Sequence, residues 1–300
     1  MNKLLIVSGP TATGKTAVAV RLAKKYNGEL ISADSRQVYR GMDIGTGKDV
    51  GSLLGVTMWM YDAVNPDESF SVSAYAKKAI ACVEDIRSRG KLPIIVGGTG
   101  LYIQSLIQTV PTIGVKPDTN LRNILNTYSI EKLQILVQEE FPKLWDRLNN
   151  SDRNNPHRLI RKIELGRAGF LSIHKPSVMK QNVCWIGLTA PFPYLYNLID
   201  ARVDKRVIDG VIDEVTKLVQ KGYGWHLLSM SGLGYKEWKG YIEGEVEKKE
   251  VIQKWKYDEH GYARRQMTWF KRNKNIHWFD VSKIGYGKEI ESVVDSWYTK

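Results

Sequence analysis

The chain has 300 residues, enough for one large domain or a core with an inserted lobe at about 100–200 residues per domain. Its apolar content is that of a packed globular protein, no run approaches the ~20 apolar residues of a membrane span, and Cys82 and Cys184 are too far apart for a C-x-x-C zinc site. With 44 Lys and Arg against 32 Asp and Glu the net charge is +12, so a polyanionic partner is expected, although a basic surface also serves solubility. The apolar run before Ser8 is only four residues long, too short for a signal peptide, so a cytoplasmic protein with reduced cysteines is expected.

Leu4-Leu5-Ile6-Val7 reads as a short buried strand. It runs into Gly9-Pro10-Thr11-Ala12-Thr13-Gly14-Lys15-Thr16, which fits G-x-x-x-x-G-K-[ST] in full, and a helical pattern follows from Ala17 towards Gly28. In strand–loop–helix form the loop N–H groups and the helix N-terminus converge on an anion. Lys15 then reaches the terminal phosphates, and the Thr16 hydroxyl is placed for magnesium. The motif predicts a bound polyphosphate without saying which one.

Glu29 to Asp34 reads as a second strand ending in a carboxylate. In a doubly wound sheet that end lines the ligand crevice, while a cap is the other use for an aspartate there. Ser35-Arg36-Gln37 opens a segment, continuing to Lys48, that is rich in glycine and hydrogen-bonding side chains and reads as a functional loop. Ser71 to Arg89 has helical spacing, with Ser69 or Ser71 as N-cap and Gly90 as stop. Leu92 to Val96 is a third strand, running into Gly97-Gly98-Thr99 where a P-loop NTPase often places a metal-binding aspartate.

From about 110 to 180 the strands disappear. Pro111 and Pro117 mark a linker, and Leu133 to Leu148 carries one apolar face that Pro142 should kink or split. Asn155-Pro156 reads as a helix start, and the helix behind it carries Arg158, Arg161, Lys162 and Arg167. Such a lobe could clamp a nucleic acid or simply present a solvated charged face.

Cys184 to Leu188 reads as a returning strand, followed by one helix through Val203, Val207, Val211 and Val215. Arg202 near its start could meet phosphate or form a surface ion pair. A long helix over roughly 246–271 interleaves basic residues with Trp255, Tyr262 and Phe270, a mixture suited to RNA, although the aromatics could equally be core. Ile276 to Asp280 is a final strand.

Taken together, the chain resembles the tRNA dimethylallyltransferases. The resemblance is carried by Gly9–Thr16, Ile31–Thr46, Val96–Tyr102, Asn155–Arg158, Gly234–Glu237 and Arg265–Phe270, in family order over nearly the whole chain. It implies a P-loop NTPase-like α/β core, a parallel sheet flanked by helices, over 1–112 and 180–300. An all-helical insertion lobe over 113–179 would contact the anticodon stem-loop. It implies transfer of a dimethylallyl group from dimethylallyl diphosphate to the exocyclic amine of the adenosine on the 3′ side of the anticodon, by a monomer with Mg2+ at Thr16. Gly9 to Thr16 would hold the diphosphate, and Asp34 would accept a hydrogen bond or proton from the amine. Thr99 and Arg202 would join Lys15 in stabilising the departing pyrophosphate. Asp34, Ser35, Arg36, Gln37, Arg158 and Arg265 would contact tRNA. An enzyme prenylating free adenine nucleotide, or a P-loop kinase, would share the core but leave the basic insertion and the C-terminal helix without a role. Three segments depart from the family pattern: Thr57 to Asp62, Gly47-Lys48-Asp49, and Leu198, where an arginine is common.

Overall fold

The computed structural model describes residues 2–108, 115–170 and 182–299; Pro111 of the expected linker lies outside them. The chain divides into two compact units, Met1–Ile107 with Met179–Lys300, and Gln108–Val178.

The first unit is built on six parallel strands in the order β3-β2-β4-β1-β5-β6. These are β1 (Lys3–Ser8), β2 (Gly28–Ser32), β3 (Met58–Trp59), β4 (Leu92–Gly97), β5 (Asn182–Thr189) and β6 (His277–Asp280). Its helices are α1 (Lys15–Lys25), α2 (Val72–Ser88) and α3 (Gly100–Ile107). The second unit holds α4 (Thr119–Leu125), α5 (Ile130–Glu140), α6 (Pro142–Trp145), α7 (Asn150–Arg153) and α8 (Pro156–Arg167). The first unit resumes with α9 (Phe192–Ile208), α10 (Val211–Gln220), α11 (Lys239–Ile242), α12 (Lys248–Phe270) and α13 (Tyr286–Tyr298).

A strand with both faces covered must be apolar in its interior, and β1 is from Leu4 to Val7. Leu4 and Ile6 enter the core on one face of the sheet, while Leu5 and Val7 enter the core on the other. β1 lies between β4 and β5, pairing Val7 with both Val96 and Ile186. From β1 the chain goes through α1 to β2 on one side, whereas β5 joins on the other. The order therefore reverses at β1, and the crevice beyond its C-terminal end is where such sheets bind ligands.

α2 starts where Ser71 caps it, its side chain accepting from the Ala74 N–H. The single helix expected through Val203 to Val215 is two helices, α9 and α10, separated at Asp209-Gly210 with Gly210 at φ 97°. The aromatics of α12 settle mostly as core: Trp255 and Phe270 are fully buried, and Trp238 and Trp185 meet them edge to face. No helix of the described residues is long and apolar enough to cross a membrane.

The second unit has its own core of Leu125, Leu133, Val137, Leu148, Leu159, Ile160 and Ile163. Pro142 splits the expected helix into α5 and α6, since its ring cannot sit inside a continuous helix. Asn155 caps α8, accepting from the Arg158 N–H at 3.0 Å. Glu164 of α8 is buried and takes hydrogen bonds from Arg122 and Arg161. Burial alone would raise its pKa, but the two guanidinium groups outweigh it and hold it below the usual carboxylate value. The basic face of α8 is thus largely matched within its own unit: Arg158 pairs with Asp152 at 2.7 Å and Arg167 with Glu140 at 2.6 Å.

Candidate active site

The phosphate-loop segment leaves β1 at Gly9, whose φ of 142° belongs to glycine. A Cβ there would collide with the Leu188 carbonyl, so the loop passes β5 closer than any side chain allows. The Thr13 hydroxyl donates to Pro10 O at 2.9 Å and holds the turn. α1 then begins at Lys15, and Thr16 occupies its first turn.

Beyond the loop opens a cleft of about 800 Å³. Thr11, Ala12, Gly14, Lys15 and Thr16 line it, together with Asp34, Ser35, Arg36, Gln37, Arg202 and Arg265. Most of the residues singled out from the sequence therefore meet in one place. Gly9, Pro10 and Thr13 support the loop from behind. Arg158 belongs to the second unit.

Asp34 lies two residues past β2, half-buried. One carboxylate oxygen accepts from the Arg36 N–H at 2.8 Å, a local turn that fixes the side chain. Thr99 sits behind it: its Oγ1 accepts from the Ser35 N–H at 3.0 Å, and it hydrogen-bonds with Tyr262. Its contacts are thus with the carboxylate side of the cleft. Gln37 bridges Ser32 and the Gly47 carbonyl, and Arg36 reaches the Leu228 carbonyl, so both side chains also brace the loop that carries them.

Arg202 is not a surface ion pair. Its Nη1 donates to Thr11 Oγ1 at 2.9 Å, from α9 directly onto the phosphate loop. The Lys15 ammonium donates to Pro10 O at 2.6 Å. Burial, and next the charge of Arg202, push Lys15 down to about 7, against the pull of Asp34 and Glu259. Cations gathered in one cleft with too little counter-charge make a place for an anion.

Two supports were not singled out from the sequence. Gln266, buried on α12, accepts from the Thr11 N–H at 2.8 Å and donates to the Gly98 carbonyl at 3.1 Å. It ties the phosphate loop to the end of β4. A single glutamine within a basic helix gives no periodic signal; only its place in the Arg265–Phe270 segment could have marked it. Glu214 of α10 takes the N–H groups of Asp43, Ile44 and Gly45, at 2.8, 2.8 and 3.0 Å, and pins the long loop. Lys48, buried in that loop, donates to Asp43 at 2.7 Å and to Asp62 at 2.6 Å. Asp62 comes from the divergent 57–62 segment, which thus serves the loop.

Among the described residues no group of three His, Cys, Asp or Glu could cage a metal. The Thr16 hydroxyl lines the cleft and is a hard oxygen donor, the kind of ligand magnesium takes, so this residue would suit that ion.

A parallel sheet with a phosphate loop at its switch point, and a carboxylate in the same cation-lined cleft, defines a P-loop-type enzyme handling a phosphorylated substrate. The profile of the IPP transferase family matches residues 37–273. A tRNA dimethylallyltransferase of Roseiflexus sp. is 39% identical over 99% of both chains, and one from Acetivibrio thermocellus is 39% identical over 97% of this chain and 95% of its own. The crystal structure of the full-length tRNA isopentenylpyrophosphate transferase of Bacillus halodurans superposes with a TM-score of 0.74 at 35% identity, covering 100% of this chain and 99% of that one. A eukaryotic dimethylallyltransferase acting on tRNA shares the fold, with a TM-score of 0.81 at 23% identity over 98% of this chain and 78% of its own. The chain belongs to the IPP transferase family of tRNA dimethylallyltransferases.

Proposed function

We propose that this enzyme transfers the dimethylallyl group of dimethylallyl diphosphate to the exocyclic amine of the adenosine 3′-adjacent to the anticodon in tRNA. The observation that carries the reading is that Asp34 and the Lys15–Arg202 pair line the same cleft, so that a base and a leaving-group site share one substrate. The amine nitrogen bonds to the first carbon of the prenyl group as the bond from that carbon to the diphosphate oxygen breaks. The electron pair leaves with pyrophosphate, and the amine proton passes to Asp34. An exocyclic adenine amine is a poor nucleophile, so a positioned carboxylate matters. Charge growing on the departing diphosphate meets Lys15, Arg202 and the loop N–H groups. Magnesium held at Thr16 would neutralise part of that charge.

The target base must leave its stack to reach this depth. Arg265, exposed at the cleft mouth, and Arg158 on the helical unit are the residues proposed to meet RNA phosphates, with Ser35, Arg36 and Gln37 flanking the base. We assign the helical unit to the anticodon stem-loop, and infer a cytoplasmic monomer. A P-loop kinase fits less well, because β4 ends in Gly97-Gly98-Thr99 without the aspartate that would hold its metal.

The test is mass spectrometry of tRNA nucleosides after incubation with dimethylallyl diphosphate and magnesium. A prenylated adenosine is expected, and Lys15→Ala should abolish it. Transfer to free AMP but not to tRNA would move the chain to the nucleotide-prenylating class.

A further inference from the structure

Arg206 has no part in that reading, and its surroundings are unusual for an arginine. It lies one turn beyond Arg202 on α9, 7% exposed. Nη1 donates to Glu259 Oε1 at 3.2 Å, and Glu259 is 6% exposed. The guanidinium also sits 5.7 Å from the centre of the Trp255 ring. Burying an ion pair costs each partner several kcal/mol of hydration, and an apolar pair of similar volume is often as stable. Along this face α9 otherwise buries Leu195, Ile199 and Val203. Packing alone therefore does not account for an arginine here.

Glu259 does not use the whole guanidinium. Arg206 lines the cleft alongside Lys15 and Arg202. A Cβ on Gly47 would collide with Nη2 of both Arg202 and Arg206, so the two forks converge on one point beneath the loop. Gly47 itself has a φ of 67°. The charge of Arg206 is the first cause lowering the Arg202 pKa, to about 10. Two guanidinium groups held this close together are a repulsive arrangement that an oxyanion between them relieves. Leu198, one turn before Arg202, lines the cleft as well and brings no charge.

We propose that Arg206, held by Glu259, is a diphosphate-binding residue, supplying a second guanidinium to the cleft one turn after Arg202. The inference rests on the diphosphate reading of the cleft.

The test measures calorimetric affinity for inorganic pyrophosphate with magnesium, in the intact enzyme and three variants. Arg206→Met with Glu259→Gln removes both buried charges together, stranding neither. Its affinity should fall roughly 10- to 100-fold, the weight of a charge-assisted hydrogen bond, while tRNA affinity stays unchanged. Adding Leu198→Arg should recover most of the loss, which a merely structural role would not allow. Arg206→Lys keeps the ion pair but loses the planar fork, and should weaken binding several-fold even if the double variant does not fold. Wild-type affinity in either Arg206 variant would overturn the role of Arg206. If the unaltered enzyme bound neither pyrophosphate nor dimethylallyl diphosphate, the diphosphate reading would fall first and this inference with it.

Discussion

Among the described residues Asp34 is held by one hydrogen bond, from the Arg36 N–H, so its charge can be removed without dismantling the loop. Asp34→Asn keeps the size and one acceptor but loses the basicity. Turnover should drop roughly 100- to 10,000-fold, the span of general-base catalysis. Affinity for the anticodon stem-loop should hardly change, because phosphate contacts elsewhere supply most of it. Near-normal turnover with collapsed tRNA affinity would make Asp34 an orienting contact instead. Glu237 allows a different kind of test. It is buried, accepts from the Gly234 N–H at 2.8 Å, and burial pushes its pKa up to about 7. Lys236, whose Nζ is 3.5 Å away, lowers it, while Asp258 raises it. A carboxyl raised in the folded state binds a proton that the unfolded chain releases, so stability falls as pH rises from about 4.5 to about 7. Glu237→Gln keeps the acceptor and removes the charge. Urea unfolding at pH 8 should find it more stable by roughly 1–3 kcal/mol, and no different near pH 4.5. Equal stability at both pH values would show that Glu237 ionises freely.

The elements differ in how plainly the sequence declares them. Five of the six strands and the long helices are legible because an apolar run or a helical period, bounded by a cap or a glycine, is a local signal. Ser71 and Asn155 mark true helix starts, and Pro142 a true break. β3 is two residues long and carries no period, so it emerges only from its pairing with Leu30 and Ile31. The i+4 valines run straight through Gly210, and only the observed break shows that they belong to two helices. The cleft was readable because Gly9–Thr16 is contiguous and Asp34 follows closely on a strand. Gln266 and Arg206 were not, since their meaning lies in partners 255 and 53 residues away in sequence. The buried Glu164 of α8, joined to Arg122 of α4, is similarly invisible to any period. Glu164→Ala leaves two guanidinium groups without their anion. Because both are partly exposed, the cost should be about 1–3 kcal/mol rather than that of a fully buried pair. Hydrogen exchange should then show protection lost across α4 and α8 with the sheet unaffected; loss spread over the sheet would contradict separate cores.

For the whole molecule the first question is what the charge of +12 is for. On α8, Arg158, Arg161 and Arg167 already answer to carboxylates, whereas Arg265 stands exposed on α12. If the excess serves tRNA, the association constant should fall steeply as salt rises, because released counterions drive binding. Arg265→Ala should flatten that slope by about one charge and leave diphosphate affinity unchanged. A slope indifferent to salt would leave the charge to solubility. One bond has a consequence for how the molecule comes into being. The phosphate loop is synthesised well before α12, and the Thr11 N–H finds its acceptor in Gln266, 255 residues later. The central strand likewise waits for β5 on one of its two edges. At about 5–20 residues per second, the loop stands for roughly 10–50 s on the ribosome before the residue that shapes it has been made. Until then the growing chain holds the family's most recognisable motif without the partner that ties it to the end of β4, and that tie is made only when α12 has emerged.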